Sequence, residues 1–382
     1  VRIEVKNSCN DFTGYRAARV KSLFNVESGA NFEHTADLQI DDDNWKVGLV
    51  VGPSGSGKTS IGRSIFGPEF MHSPVWPENA PIIDAVLPGG DFDAATASLS
   101  AVGLGSVPSW LRPYRVLSNG EKFRADLARL VSDAPARAVV DEFTSVVDRQ
   151  IAKVGALAFQ KAWRRTAGKV VLLSCHYDII DWLEPDWVYD TATGKYAGRG
   201  LWRRPKINVG IWQTDWRYWH IFEPHHYLKV PRVVAAFNYV AVVDGTPIAH
   251  IAFSTRPGLK EARACRMVVM PEWQGAGVGM RFLNATCEAW LTAANPYSKP
   301  MRTLFHTSHP GLCAALRRDQ KWRQISAVLY GESKKASRAS MRKTIRPAHG
   351  NAGTGYGGHL RAVQGFRYYG AAGVAAAKKE AP

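Results

Sequence analysis

Residues 45–51, WKVGLVV, form an apolar run rich in β-branched side chains that ends in a cluster of glycines. Two shorter runs, residues 138–140 and 170–174, are apolar without alternation, the pattern of strands buried on both faces of a parallel sheet. Ahead of both, Phe123, Leu127, Leu130 and Val131 recur at helical spacing. Strands alternating with helices predict a layered α/β domain over residues 1–190. Residues 191–207, TATGKYAGRGLWRRPKI, have no apolar period and are expected to be a linker.

The pattern then changes. Residues 233–243 and 248–253 are β-like runs around Asp244-Gly245, a dipeptide suited to a tight hairpin. Residues 264–270 predict a further strand, followed by a second glycine cluster and a helix from Met280 to about Leu291. Residues 301–306 predict one more strand, and the aromatic run 366–369 one that returns to the sheet. A second, α+β domain with a mixed sheet is therefore expected over residues 208–370, with 371–382 a disordered tail.

Composition narrows the class. The chain of 382 residues is long enough for two cores, and no apolar run reaches the roughly 20 residues that span a bilayer. Five scattered cysteines without a C-x-x-C pair suit a reducing cytoplasm and argue against a disulfide framework or a zinc site. The net charge of +16 is uneven. Residues 1–206 hold 25 Lys+Arg against 24 Asp+Glu, whereas residues 207–382 hold 24 against 9, a balance of +15. A polyanionic partner of the second half is the expectation, with a solubilising basic tail as the alternative.

The first glycine cluster, Gly52-Pro53-Ser54-Gly55-Ser56-Gly57-Lys58-Thr59, has the complete spacing of a phosphate-binding loop. Gly52, Ser54, Gly55 and Gly57 let backbone N–H groups turn inward around phosphate oxygens, and the following helix adds its positive end. Lys58 suits the β- and γ-phosphates of ATP, and Thr59 offers a hydroxyl to Mg²⁺. Downstream, Asp141 and Glu142 end an apolar run; the first suits Mg²⁺ and the second suits polarising an attacking water. His176 ends another such run. Ser118 and Glu121 satisfy the capping-box pattern, which explains part of LSNGE without any function.

This series resembles the nucleotide-binding domain of ABC-type ATPases: phosphate loop, signature, carboxylate strand end and switch histidine, over residues 1–190. Thr144 to Asp148 resembles that family's D-loop. The resemblance implies that His176 contacts the γ-phosphate, and that Ser118 and Gly120 complete the ATP site of a second copy in a homodimer formed on ATP binding. Asn119 and Glu121 depart from the signature, and no Gln lies between Lys58 and Ser118. That interval is also shorter than in transporter ATPases, where a helical subdomain docks on the membrane partner, so the resemblance favours hydrolysis without transport.

The second cluster, Gln274-Gly275-Ala276-Gly277-Val278-Gly279, also follows a strand and opens a helix but lacks Lys-Thr. Gly275, Gly277 and Gly279 allow close backbone approach to a pyrophosphate. With the preceding VVMPEW it resembles the acetyl-CoA loop of GNAT acyltransferases, in which the strand before the loop splays from its neighbour and polarises the thioester. Proton transfer needs a base, and Glu223, His225, His226 and Tyr227 in FEPHHYL and Ser308 and His309 in TSHP are candidates. These clusters and the terminal FRYYG resemble the GNAT-related half of Mom-type DNA modifiers of phage and mobile elements. That resemblance implies a nucleic-acid acceptor, which the basic balance supports independently. Trp212, Trp216, Tyr218 and Trp219 could stack on a base or form a core layer. The expected protein is an ATPase fused to an acetyl-CoA-dependent transferase acting on nucleic acid. The alternatives are an ATP-regulated protein or small-amine acetyltransferase, and an ATP-switched DNA-binding module.

Overall fold

The computed structural model describes residues 2–8, 12–24, 31–40, 44–198, 200, 202, 205–226, 232–233, 236–255, 261–328 and 362–370. The chain begins with β1 (Arg2–Ser8), α1 (Tyr15–Phe24), β2 (Asn31–Asp37), β3 (Val47–Val51) and α2 (Lys58–Phe66). Three helices follow, α3 (Ile82–Ala85), α4 (Phe92–Ala101) and α5 (Val107–Trp110). Then come α6 (Asn119–Asp133), β4 (Arg137–Val140), α7 (Arg149–Trp163), β5 (Lys169–Ser174), α8 (Ile180–Leu183), β6 (Trp187–Asp190) and β7 (Lys195–Ala197). The remainder is β8 (Gly210–Thr214), α9 (Trp219–Phe222), β9 (Ala236–Val243), β10 (Thr246–Thr255), β11 (Glu261–Val269), α10 (Val278–Leu291), β12 (Arg302–Thr307), α11 (Pro310–Arg318), β13 (Trp322–Val328) and β14 (Val363–Tyr368).

Two compact units result, but they are not contiguous in sequence. One is Val1–Pro77 with Ser118–Pro205, the other Glu78–Leu117 with Lys206–Pro382. Residues 78–117, between the phosphate loop and the signature, therefore fold with the second half. This departs from the uninterrupted boundaries expected above: α4 packs on α11, and buried Trp110 meets the His309 ring. The expected linker is also partly structured, since β7 pairs antiparallel with β6. The expected tail, residues 371–382, and Tyr227 lie outside the described residues.

The first unit holds a five-stranded sheet in the order β4-β5-β3-β6-β7, parallel except for β7. All five residues of β3 are buried, so the strand carries no polar face, as both faces of a covered parallel sheet require. Its end at Val51 delivers the chain straight into the phosphate loop. A two-stranded antiparallel sheet, β1-β2, places Ile3, Val5 and Ala36 into the same core as Trp45, Ile61 and Trp187.

The second unit holds a seven-stranded sheet in the order β13-β14-β12-β11-β10-β9-β8. β11 and β12 are parallel and the other neighbours antiparallel, which makes the sheet mixed. Asp244 and Gly245 turn β9 into β10 with φ of 46° and 79°, the two left-handed residues of a type I′ turn. One face is packed by α10, where Trp290 stacks on Phe253 at 5.0 Å. The other is packed by α9, where Trp219 and Phe222 are buried with Val240 and Val268. β14 lies between β12 and β13, so the terminal aromatic run does return to the sheet. Among the described residues no helix is long and apolar enough to cross a membrane.

Candidate functional site

In the first unit the phosphate loop lies between β3 and α2. Gly57 caps α2 in the left-handed conformation (φ 84°, ψ 9°), which a side chain would strain, and so turns the first N–H groups of the helix toward the loop. Lys58 follows at the first helical position, and its Nζ donates to the carbonyls of Gly52 (2.9 Å) and Pro53 (2.7 Å), which keeps the ammonium at the mouth of its own loop. Thr59 donates its hydroxyl to the Asp141 carboxylate at 2.8 Å, across 82 residues of chain. A hydroxyl and a carboxylate in direct contact beside phosphate-directed N–H groups are a donor set fit for Mg²⁺.

The turn after β4 is strained. Glu142 (φ 52°) and Thr144 (φ 71°) are both left-handed without being glycine, a conformation costing roughly 1–3 kcal/mol each. The turn leaves the Glu142 side chain exposed while its N–H donates to Asp141 Oδ1 at 2.9 Å. Buried Thr144 meets His176 Nδ1 at 3.2 Å, and the His176 N–H donates to Ser174 Oγ at 3.1 Å. Burial lowers the His176 pKa, Arg149 adds to this, and the Asp178 and Glu142 carboxylates oppose it. Thr144 orients the imidazole. Ser118 caps α6 in a complete capping box, its N–H donating to Glu121 Oε2 at 2.9 Å. Gly120 lies in the first turn of that helix, and Asp148 caps α7.

In the second unit β11 pairs with β12 only from Glu261 to Ala264, opposite Arg302 to Phe305. Beyond that point β12 continues on β14, through His306 and Thr307, while β11 continues on β10 alone. The two parallel strands therefore part. Arg266 (φ 55°) and a register shift against β10 mark a bulge where the divergence begins. The second glycine loop follows the diverging strand. Gly277 caps α10 with φ 83° and ψ 7°, a Cβ at that position facing open space, and Gly279 lies against Met267 and Val269. An exposed backbone edge beside a glycine-capped helix start fits an acyl-CoA, with the thioester at the strand and the pyrophosphate at the loop.

The remaining candidates are distributed differently. The Gln274 side chain is spent within the fold, donating to the Val269 carbonyl at 3.0 Å and accepting from the Gly105 N–H at 3.0 Å. His309 caps α11 by accepting from the Leu312 N–H at 3.3 Å, while its Nε2 meets the Gly105 carbonyl at 3.1 Å. Both its nitrogens are thus committed and burial lowers its pKa, which corrects the expectation of His309 as a base. Ser308 donates to the Ala362 carbonyl. His226 is buried against Trp219, whereas Glu223 and His225, just before it in the chain, are exposed. The tryptophans divide as well: Trp219 is core, and Trp212 is 65% exposed on the edge strand β8. Trp212, Asp215, Arg217 and Tyr218 line an open pocket of about 570 Å³, where hydrogen bonds from Arg217 hold the Asp215 carboxyl down at about 2.

His250 was not a sequence candidate. It is fully buried on β10 among Trp216, Trp219 and Phe222, with Nδ1 3.4 Å from the Arg266 carbonyl at the bulge and Nε2 unpartnered. Burial pushes its pKa down to about 4, partly opposed by that carbonyl, with His226 lowering it further. A histidine inside the otherwise apolar run 248–253 was the one available signal.

A phosphate loop closed by a strand-end carboxylate, and a separate glycine loop beside diverging strands, define a P-loop ATPase joined to a GNAT acetyltransferase domain. The profile of the Acetyltransferase (GNAT) family matches residues 208–295. The cytochrome c biogenesis ATP-binding export protein CcmA of Rhodospirillum rubrum is 31% identical over 163 residues, spanning 34% of this chain and 68% of that protein. The chain belongs, through its first unit, to the family of ABC-type ATP-binding proteins. Solved structures resembling it include a dimeric, post-hydrolysis ATP-binding cassette bound to ADP and Pi (13% identity, 53% of this chain and 100% of that one, TM-score 0.36). The dimeric structure of a bacterial ABC transporter cassette is a second (12% identity, 49% and 94%, TM-score 0.34). Likenesses this slight add no weight.

Proposed function

We propose that this chain hydrolyses ATP at Lys58 and Thr59 and uses its GNAT domain to transfer an acetyl group from acetyl-CoA to an amine of a nucleic acid, in the cytoplasm. The observation that carries the transferase reading is the parting of β11 from β12 after Ala264, directly before the second glycine loop. Acetyl-CoA supplies an activated thioester. The chain supplies the backbone edge of β11 to polarise it, and the N–H groups at Gly275, Gly277 and Gly279 to hold the pyrophosphate. Glu223 and His225, both exposed, are the groups left to accept the amine's proton as the C–N bond forms; the thioester C–S bond breaks and coenzyme A leaves as a thiolate that takes up a proton.

The nucleic-acid acceptor is supported by the 24 Lys+Arg against 9 Asp+Glu in residues 207–382, and by exposed Trp212 beside Arg217 and Tyr218. This matches the Mom-like, phage-type reading of the motifs. At the first loop Lys58 would hold the β- and γ-phosphates of ATP, Thr59 and Asp141 would hold Mg²⁺, Glu142 would orient water and His176 would contact the γ-phosphate. Ser118 and Gly120 complete the site of a second copy in a homodimer.

The test is to incubate the protein with ATP, Mg²⁺ and labelled acetyl-CoA together with DNA, RNA, a basic protein and a polyamine. Label in nucleic acid, located by mass spectrometry of the nucleosides, is the expected result, with DNA binding that weakens as salt rises. Label in the protein or the polyamine alone would overturn the acceptor, and no labelled product at all would leave an ATP-switched DNA-binding module.

A further inference from the structure

Gly105 has its peptide groups held on both sides by the transferase half. Its N–H donates to Gln274 Oε1 at 3.0 Å, and its carbonyl lies 3.1 Å from His309 Nε2. The same Gln274 amide donates to the carbonyl of Val269, the last residue of the diverging strand, at 3.0 Å. One side chain therefore ties together that strand, the start of the acyl-CoA loop and residue 105.

The neighbouring residues make the same contact. Gly103 (φ 84°) runs so close to the loop that a Cβ there would lie 2.2 Å from the Gln274 carbonyl oxygen, so only a glycine permits this approach. Trp110 packs edge-on to the His309 ring at 5.4 Å and donates its indole N–H to the Leu104 carbonyl at 2.7 Å. α4 packs on α11, with Gly311 against Ser100.

These residues belong to the interval between the phosphate loop and the signature. The chain leaves the ATPase unit after Pro77 and re-enters it at Ser118, the residue expected to touch nucleotide. Ser118 is thus covalently continuous, through Leu117, with a segment fastened to the second glycine loop.

We infer that residues 103–105 are a strap that positions the acyl-CoA loop, with Gln274 and His309 as positioning residues, and that through it nucleotide binding and acyl-CoA binding are energetically coupled. The inference rests on the reading of the second loop as an acyl-CoA site. It assigns residues 78–117 an internal target in place of an external partner.

Coupling between two sites is reciprocal, which makes the test strict. Coenzyme A is titrated into the full chain with and without the non-hydrolysable analogue AMP-PNP and Mg²⁺, and AMP-PNP with and without coenzyme A. The expected result is a change of about fivefold or more in each affinity, by the same factor. His309→Asn keeps an acceptor for the Leu312 N–H at the cap but is too short to reach Gly105. It should still bind both ligands, with the factor reduced to about twofold or less. Gly103→Val, which drives the strap off the Gln274 carbonyl, should do the same and decides the matter should His309→Asn not fold. Wild-type affinities that ignore one another would overturn the strap while leaving both binding sites standing. So would a factor that survives in the variants. Failure of coenzyme A to bind at all would overturn the acyl-CoA reading, and the strap with it.

Discussion

The two glycine loops solve one problem with nearly the same backbone. Gly57 and Gly277 cap their helices at φ 84°, ψ 9° and φ 83°, ψ 7°, and each cap follows a strand and opens a helix. What differs is the next side chain. After Gly57 come Lys58 and Thr59, with the Asp141 carboxylate 2.8 Å from the threonine hydroxyl. After Gly277 come buried Val278 and then Gly279, against Met267 and Val269. Under the proposed function the first loop neutralises a terminal phosphate, whereas the second offers N–H groups and apolar walls to a pyrophosphate. Backbone conformation supplies the anion site in both, and the residues that follow it select the reaction.

The sharpest way to break this comparison is to cross its variants. Lys58→Ala should lower ATP turnover by roughly 10²- to 10³-fold, as loss of one preorganised electrostatic group does, and leave coenzyme A binding in the absence of nucleotide unchanged. Gly277→Val places a β-branched residue in a left-handed conformation at a cost of about 1–3 kcal/mol, weakening coenzyme A by roughly 5- to 150-fold without stopping ATP turnover. If either substitution abolished both functions in isolation, the loops would not be two sites.

A smaller effect concerns the sheet beneath the second loop. His250 titrates near 6.5 when unfolded and about 4 when folded, so between those values the unfolded chain binds the extra proton. Its contribution is complete above about pH 6.5, declines as pH falls toward 4 and then levels off, amounting to about 3 kcal/mol in the second unit. His250→Phe should flatten that decline in acid unfolding curves, and His226 alone should not maintain it. Smallest is Ser118→Ala, which removes the α6 cap and should lower the stability of the first unit by about 1 kcal/mol in denaturant unfolding.

The parts of this molecule legible in the sequence are local ones. The phosphate loop, the Ser118–Glu121 capping box and the Asp244-Gly245 turn each depend on a few consecutive residues, and each forms as the pattern predicts. The divergence of β11 from β12 was legible only through a family resemblance, because no side-chain pattern encodes where a parallel ladder stops. The strap was not legible at all. Gly105 meets Gln274 and His309 across 169 and 204 residues, and no local pattern encodes a contact that distant. For the same reason the motifs around Gln274 and His309 do not reveal that the polar atoms of both side chains are used within the fold. The strand Lys195–Ala197 was read as linker because three residues carry too little pattern to identify an edge strand.

The central claim is that one chain holds two separate anion sites with different ligands. Equilibrium titration of the wild-type chain with AMP-PNP and Mg²⁺, then with coenzyme A on the saturated complex, tests it most directly. The account predicts one of each bound per chain at the same time. Displacement of one by the other, so that a single site serves both, would contradict it.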